Sequence, residues 1–395
     1  MTSEGRIRLL RGLRITGFWL LGLVLFFGAL EAYFRYWHSP SPGLGRFWFM
    51  EQSNLDRWQH LEEHRDELVT DDRASESAKR RPNRDYFEEA EDDRPAYDRT
   101  PGRYRVVTNE YAFRERSFPK QKAVGTRRVL FLGDSLTFGR GLSPEQRFTD
   151  LLQAQAPAGV EILNLGDLGC SLECEQEIFN QFIEFEPDLI VLQASANDID
   201  QSLWREALRN VDTSGLRFKA RNWLAHSRAF LAFVYWASGD PNDVEYAEAV
   251  VATHAYYGGM TRQIFETCAA RKVPIAVLSF PSADDLRYAE HLSRACEQAG
   301  GACLGTIEAT FSEPTRWLGA GVDTSELTRE PQWITDSVDE TGFTLDAFTA
   351  IFPLRRYFVD MVHPGPLANR LTAAQIAAFL KARWSGWEIT APGPQ

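Results

Sequence analysis

The chain has 395 residues and a mass of 44.9 kDa, with 43 Lys and Arg against 55 Asp and Glu, a formal net charge of −12. Its apolar fraction of 44%, with 12% aromatic residues, is enough to bury a sizeable core, as one large domain with additions or as two ordinary domains. The acidic balance argues against a nucleic-acid binder, which needs clustered cations to neutralise phosphate, and five cysteines in this length exclude a small disulfide-stapled scaffold.

In chain order, the first feature is an apolar segment. Residues 15–30 carry no charge, Glu31 interrupts, and Ala32, Tyr33 and Phe34 extend the run to about the 20 residues that a bilayer span requires. Arg6, Arg8, Arg11 and Arg14 precede it, which by the positive-inside rule holds the N-terminus in the cytoplasm. Tyr33, Tyr36, Trp37 and Trp48 follow as an interfacial aromatic belt would. Residues 1–37 are therefore expected to form a cytoplasmic N-terminus and a single transmembrane anchor, with everything beyond Trp37 facing the periplasm or exterior. A cleaved signal peptide is one rival, weakened by a poor −3 position around Leu30-Glu31-Ala32. A buried core helix is the other, disfavoured by the Arg-rich entry and aromatic exit.

That compartment bears on the cysteines, which are Cys170, Cys174, Cys268, Cys296 and Cys303. An oxidising exterior permits one or two bridges, with Cys170–Cys174 and Cys296–Cys303 the pairs nearest in sequence. Small buried apolar residues are an equal reading of the same five. There is no C-x-x-C pair and histidine is sparse nearby, so no metal site is expected.

From about Glu51 to Arg99 the sequence is charged, poor in aliphatics and dotted with Pro, and residues 38–101 read as a solvated spacer with a short helix near Leu55–Leu68. The composition turns again at Tyr104, and residues 102–387 are expected to form the compact domain, followed by a tail at 388–395. Apolar runs predict strands at Arg128–Leu132, Val160–Leu165, Asp188–Gln193 and Val273–Phe280, with a weaker fifth near Ala302–Ile307. Helices are expected from Ser143 (an N-cap followed by Pro144) to about Leu152, and over Leu172–Phe185, Val244–Ala270, Ala283–Ala299 and Leu367–Trp384. Continuous apolar strands alternating with helices imply a parallel sheet covered on both faces. No internal repeat is present.

In such sheets ligand groups gather beyond the carboxyl ends of the strands. Gly133-Asp134-Ser135-Leu136 follows the first strand. Asn164, Gly166, Gly169 and Ser171 surround the end of the second. Ala194-Ser195-Ala196-Asn197-Asp198 follows the third, and Asp360-Met361-Val362-His363-Pro364 stands before the last helix. A hydroxyl, small-residue turns, an amide and a carboxylate three residues from an imidazole suit acyl transfer.

These four segments resemble, in order, the sequence blocks of the SGNH hydrolases, also called GDSL-type esterases and lipases. The resemblance covers about Val106 to Leu380 and implies an α/β, flavodoxin-like three-layer sandwich with a parallel sheet. It implies Ser135 as nucleophile, His363 as general base and Asp360 as its orienting partner. The oxyanion hole would be the backbone N–H groups of Ser135 and Gly169 with the side-chain amide of Asn197. The physics agrees: a serine hydroxyl needs a hydrogen-bonded imidazole to take its proton, and neutral donors must meet the developing oxyanion. No G-x-S-x-G elbow surrounds Ser135, which disfavours the ordinary α/β-hydrolase architecture.

Each residue has a plainer reading. Ser135 could be a helix N-cap, Gly166 and Gly169 turn glycines (Gly166 above all), Asn197 a loop cap and His363 a surface histidine. Asp134 is expected to stabilise its turn. His38, His60, His64, His226, His254 and His291 lack comparable company. Ser195 stands where the family pattern has Gly, crowding the oxyanion loop, and Asp167 places a carboxylate near the site that could repel anions or bind a sugar hydroxyl. An aromatic and Arg-rich insert at 201–243 could be a lid, a surface lying against the membrane, or ordinary packing; a second at 311–354 carries Trp317 and Trp333, able to stack on sugar rings.

The reading is thus a membrane-anchored serine esterase for carboxylic, foremost acetyl, esters. Its substrate would be an ester such as an O-acetylated glycan or a lipid, with the membrane as the other partner, no nucleic acid and an open oligomeric state. No metal or organic cofactor is implied. The alternatives are an O-acetyltransferase acting on an envelope polysaccharide, and a catalytically inactive SGNH-like binding module of an envelope assembly.

Overall fold

The computed structural model describes residues 3–38, 41, 44, 48, 81–89, 103–194, 215–238, 261–280, 286–311, 314–318 and 363–387. The chain divides into two compact units. One comprises Met1–Arg65, Asn210–Ala247 and Val338–Ile351, and the other Asp66–Arg209, Glu248–Ser337 and Phe352–Gln395.

The first unit is helical among its described residues. Helix α1 spans Ser3–Tyr36, and its stretch Thr16–Tyr36, 21 residues, is long and apolar enough to cross a membrane. At 1.5 Å per residue that stretch is about 31 Å long, close to the thickness of a bilayer's hydrocarbon core. Two further helices of this unit come from the insert after the third expected strand, and are labelled below in their place in the chain.

The second unit carries the sheet. Strands β1 (Asp85–Glu89) and β2 (Arg103–Val107) pair antiparallel. The stretch read as a charged spacer therefore contributes a strand, in which Tyr86 and Phe87 stand between charged residues with no apolar–polar alternation to mark it; Asp85 meets Arg105 across the ladder at 2.5 Å. Next come β3 (Arg127–Gly133), helix α2 (Ser135–Phe138), α3 (Phe148–Gln155), β4 (Val160–Gly166), α4 (Leu172–Phe182) and β5 (Leu189–Ala194). The insert supplies α5 (Leu216–Ala225) and α6 (Arg228–Ser238). Helix α7 (residues 261–271), β6 (Ile275–Ser279), α8 (Leu286–Gln298), β7 (Cys303–Glu308), α9 (Pro314–Leu318) and α10 (Pro366–Arg383) complete the order.

Strands β3 to β7 form a parallel sheet in the order β4-β3-β5-β6-β7. Counted within the sheet this is 2-1-3-4-5, the flavodoxin-like arrangement, so the expected α/β class is the one observed. Its strands lie within a residue or two of the apolar runs that predict them. The helix expected from Ser143 is a 3-10 turn at Pro144–Gln146 followed by α3. The expected helix at Leu55–Leu68, and residues 244–260 of another, lie outside the described residues.

Successive side chains of a strand point to opposite faces, so a strand covered on both sides is apolar throughout. Leu130, Leu132, Leu163, Leu165, Ile190 and Leu192 pack with Ile178, Phe179 and Phe182 of α4, Ile264 and Phe265 of α7 and Leu292 of α8. On the other face Phe131 meets Phe148 of α3, ring centroids 5.6 Å apart, and α10 packs along α3. Two disulfides form, Cys170–Cys174 and Cys296–Cys303, and Cys268 is a buried free thiol that its surroundings push up to about 12 by desolvation.

Candidate active site

Strands β3 and β4 end in register, Gly133 opposite Gly166. The turns that leave them run side by side, and the Asp167 N–H donates to the Gly133 carbonyl at 3.1 Å. Both glycines are required by closeness. A Cβ at 133 would fall on Thr137 and Gln193, and one at 166 on the backbone nitrogen of Phe138. Gly166 is therefore not the ordinary turn glycine that the sequence suggests; its bare backbone lets α2 lie against the end of β4.

Ser135 opens α2, two residues beyond β3, at the point where the strand order reverses. It does not cap the helix. Asp134 does, its carboxylate accepting the Leu136 N–H at 2.8 Å, so the Ser135 hydroxyl is not spent on the backbone. Asp134 is buried and also accepts from the Gln193 amide at 2.9 Å, while the Gln193 Oε1 accepts from the Thr137 hydroxyl at 2.6 Å and the Thr137 N–H at 3.1 Å. Gln193, from the end of β5, thus ties both ends of the first turn after β3. Asn164 works from the other side, donating to the Thr137 carbonyl at 2.6 Å and the Thr149 hydroxyl at 2.8 Å and accepting from the Gly166 N–H at 2.9 Å.

His363 arrives from the far end of the chain, 228 residues later, and its Nε2 lies 2.8 Å from Ser135 Oγ. Its side chain is only 4% exposed, which keeps the imidazole in one orientation. Asn369 of α10 holds the segment that carries it. The Asn369 amide donates to the carbonyls of Pro364 at 2.8 Å and Gly365 at 3.0 Å, and its oxygen accepts the Phe148 N–H at 2.9 Å.

Gly169 sits in the turn after β4 with φ +64°, the left-handed region that favours glycine. The Cys170–Cys174 disulfide follows at once and fastens this turn to the first turn of α4. Asp167 is buried in the same turn, beside the Gly133 carbonyl. Asp360, Asn197, Ser195 and Trp333 lie outside the described residues. Trp317 is half-buried in α9, with the Arg316 guanidinium 5.5 Å from its ring.

Two buried charges brace the surroundings. Arg114 donates to the carbonyls of Gly139 at 2.9 Å and Leu142 at 2.5 Å, closing the loop after α2; burial, with the Arg147 charge nearby, brings its pKa down to about 10. Glu115 accepts the Asn164 N–H at 2.9 Å, and burial raises its carboxyl above the ordinary range against the pull of Arg147.

The sequence reading missed Gln193 and Asn369, both polar, buried and bonded to residues far away in the chain. It also named Gly133 only as part of a motif, without the close approach that requires it.

The family model of the GDSL-like lipase/acylhydrolase family matches residues 131–371, from β3 into α10. Among solved structures, the chain is similar to a lipolytic protein of the G-D-S-L family from Desulfitobacterium hafniense DCB-2. The identity is 11% and the TM-score 0.24, over 50% of this chain and 82% of that one. No curated protein matches the chain.

Proposed function

The chain belongs to the GDSL-like lipase/acylhydrolase family, and from that membership we propose that it is a membrane-anchored serine esterase cleaving carboxylic esters, acetyl esters foremost. The observation that carries this reading is the 2.8 Å approach of His363 Nε2 to Ser135 Oγ. A hydroxyl at this distance can pass its proton to the imidazole as Oγ attacks an ester carbonyl. For Nε2 to accept, the other ring nitrogen must carry the hydrogen, and Asp360, three residues earlier, is the group proposed to hold that tautomer.

The tetrahedral oxyanion would be met by the N–H groups of Ser135 and Gly169 and the Asn197 amide. Collapse expels the alcohol, which takes the proton back from His363, and leaves the acyl group on Ser135. Water then repeats the sequence: His363 removes its proton, the acid departs, and Ser135 recovers its hydrogen.

The anchor reading rests on α1, with its 21-residue apolar stretch and the four preceding arginines. Two disulfides in the second unit favour an oxidising periplasm or exterior for that unit. Protease added to the outer side of the sealed cytoplasmic membrane, as in spheroplasts, should then digest the C-terminal region, and protection of that region would contradict the orientation.

The test of the activity uses full-length protein in detergent with a chromogenic acetyl ester. Turnover that disappears in Ser135→Ala with the fold retained supports the esterase, and unchanged turnover in that variant removes it. The same preparation offered an acetyl donor and a polysaccharide acceptor separates hydrolysis from transfer, since transfer would place the acetyl group on the acceptor.

A further inference from the structure

Helices α5 and α6 of the first unit present a surface that the chemistry at Ser135 does not use. From Gly215 to Ser238 the chain carries Arg217, Lys219, Arg221 and Arg228 and no acidic residue, within a protein of net charge −12. On α5, Leu216 and Trp223 are 85% and 75% exposed, and Arg217, Lys219 and Arg221 are exposed between them. On α6, Phe233 and Trp236 are 67% and 62% exposed, three residues apart and so on one face. Large apolar side chains in water beside a run of cations are costly in a soluble surface and favourable at an anionic lipid interface.

The pair of helices is fixed to the exit end of α1. Glu31, the charge that interrupts the apolar span, accepts the Ser227 hydroxyl at 2.8 Å and the backbone N–H groups of Ala229 at 3.0 Å and Arg228 at 3.2 Å. It thereby serves the open N–H groups at the start of α6, and Ser227 adds its own cap to the Phe230 N–H at 3.1 Å. Arg35, one turn beyond Glu31, donates to Glu31 at 3.0 Å and to the His226 carbonyl at 3.3 Å. Phe34 is buried between Trp236 and Trp48, at 5.6 and 6.1 Å, and the Arg228 guanidinium lies over the Trp48 ring at 5.4 Å. The turn between α5 and α6 therefore meets α1 within its last two turns, where a span of this length leaves the hydrocarbon core.

We propose that α5 and α6 form an interfacial hairpin that lies on the anionic leaflet at the exit end of α1, inserting Leu216, Trp223, Phe233 and Trp236 among the lipids with Arg217, Lys219 and Arg221 at the headgroups. The proposal rests on the reading of α1 as a membrane anchor. Continuity with the lipid-facing side of α1 and the one-signed charge select a bilayer, not a protein, as the occupant.

The experiment places single spin labels on full-length protein in vesicles, at Trp223→Cys, Phe233→Cys and, within the span, Val24→Cys. The buried Cys268 and the four bridged cysteines leave the introduced thiol as the one labelled. In vesicles containing phosphatidylglycerol, labels at 223 and 233 should lose most of their accessibility to a water-soluble nickel chelate and gain accessibility to oxygen. The triple variant Arg217→Glu, Lys219→Glu, Arg221→Glu should restore the chelate signal at 223, as should vesicles of phosphatidylcholine alone. Lipid-like behaviour at 24 with full water accessibility at 223 and 233 would overturn the hairpin while leaving the anchor standing. Water accessibility at 24 would overturn the anchor and the hairpin with it. Shielding that survives the charge reversal, with spin–spin broadening between copies, would assign the face to a second copy and also overturn the proposal.

Discussion

Replacing Asn369 by Ala tests whether the histidine segment is held from α10. The side chain is buried and makes three hydrogen bonds, to the carbonyls of Pro364 and Gly365 and from the Phe148 N–H. The Gly365 carbonyl keeps a second partner, the Asn369 N–H at 2.9 Å. The Pro364 carbonyl and the Phe148 N–H lose theirs. A buried polar group left without a partner costs about 1–3 kcal/mol, so the two together should cost about 2–6 kcal/mol. For a domain of this size that corresponds to a fall in Tm of roughly 10 °C. Pro364 is the residue after His363, so a loosened Pro364 carbonyl also frees the imidazole to drift from Ser135 Oγ. A misplacement of about 1 Å at a reacting group can cost on the order of 10²-fold in rate. Ester hydrolysis by Asn369→Ala, measured well below its Tm, should therefore show that loss in kcat with KM little changed. A lowered Tm with kcat intact would refute the positioning argument and reduce Asn369 to a structural residue.

Replacing Asn197 by Ala should lower kcat by about 10²–10³-fold, the cost of one oxyanion donor, and leave the nucleophile reactive. Native protein treated with iodoacetamide should take up no label, since desolvation holds the Cys268 thiol at about 12 and the other four cysteines are bridged; unfolding without reductant should expose one thiol, and reduction five. Acetyl esters should turn over faster than octanoyl esters of the same alcohol, because Ser195 adds bulk where the family pattern has glycine, with selectivity graded at about 1–3 kcal/mol per misfit methylene. Equal or faster octanoyl turnover would point to a lipid substrate.

The sheet was legible because burial on both faces leaves runs of Val, Ile and Leu that no helix-period pattern explains. Even the weakest run, Ala302–Ile307, marks a strand, β7, whose Gly305 and partial exposure account for the faint signal. The hydroxyl and the imidazole were legible because each follows a strand or precedes a helix in a short, unusual motif. The bracing was not. Gln193 sits inside an apolar strand and bonds residues 56 and 59 positions away, and Asn369 reaches Phe148 across 221 positions. Such partners are created by topology, and no local window contains both. The same holds for Gly166, whose constraint is the backbone of Phe138, 28 positions earlier in the chain and adjacent only once β3 and β4 pair. Strand β1 escaped for a different reason: its pairing is exposed and its charges imitate a solvated linker.

The central claim is that Ser135 is a nucleophile activated by His363, and a fluorophosphonate reads this directly. Phosphonylation forms a bond from Ser135 Oγ to phosphorus with loss of fluoride, the proton going to His363, and needs no knowledge of the natural ester. Full-length protein incubated with the reagent and mapped by mass spectrometry should carry one adduct on Ser135, absent in Ser135→Ala and strongly slowed in His363→Ala. An adduct on another serine, or labelling of Ser135 at the same rate without His363, would contradict the account.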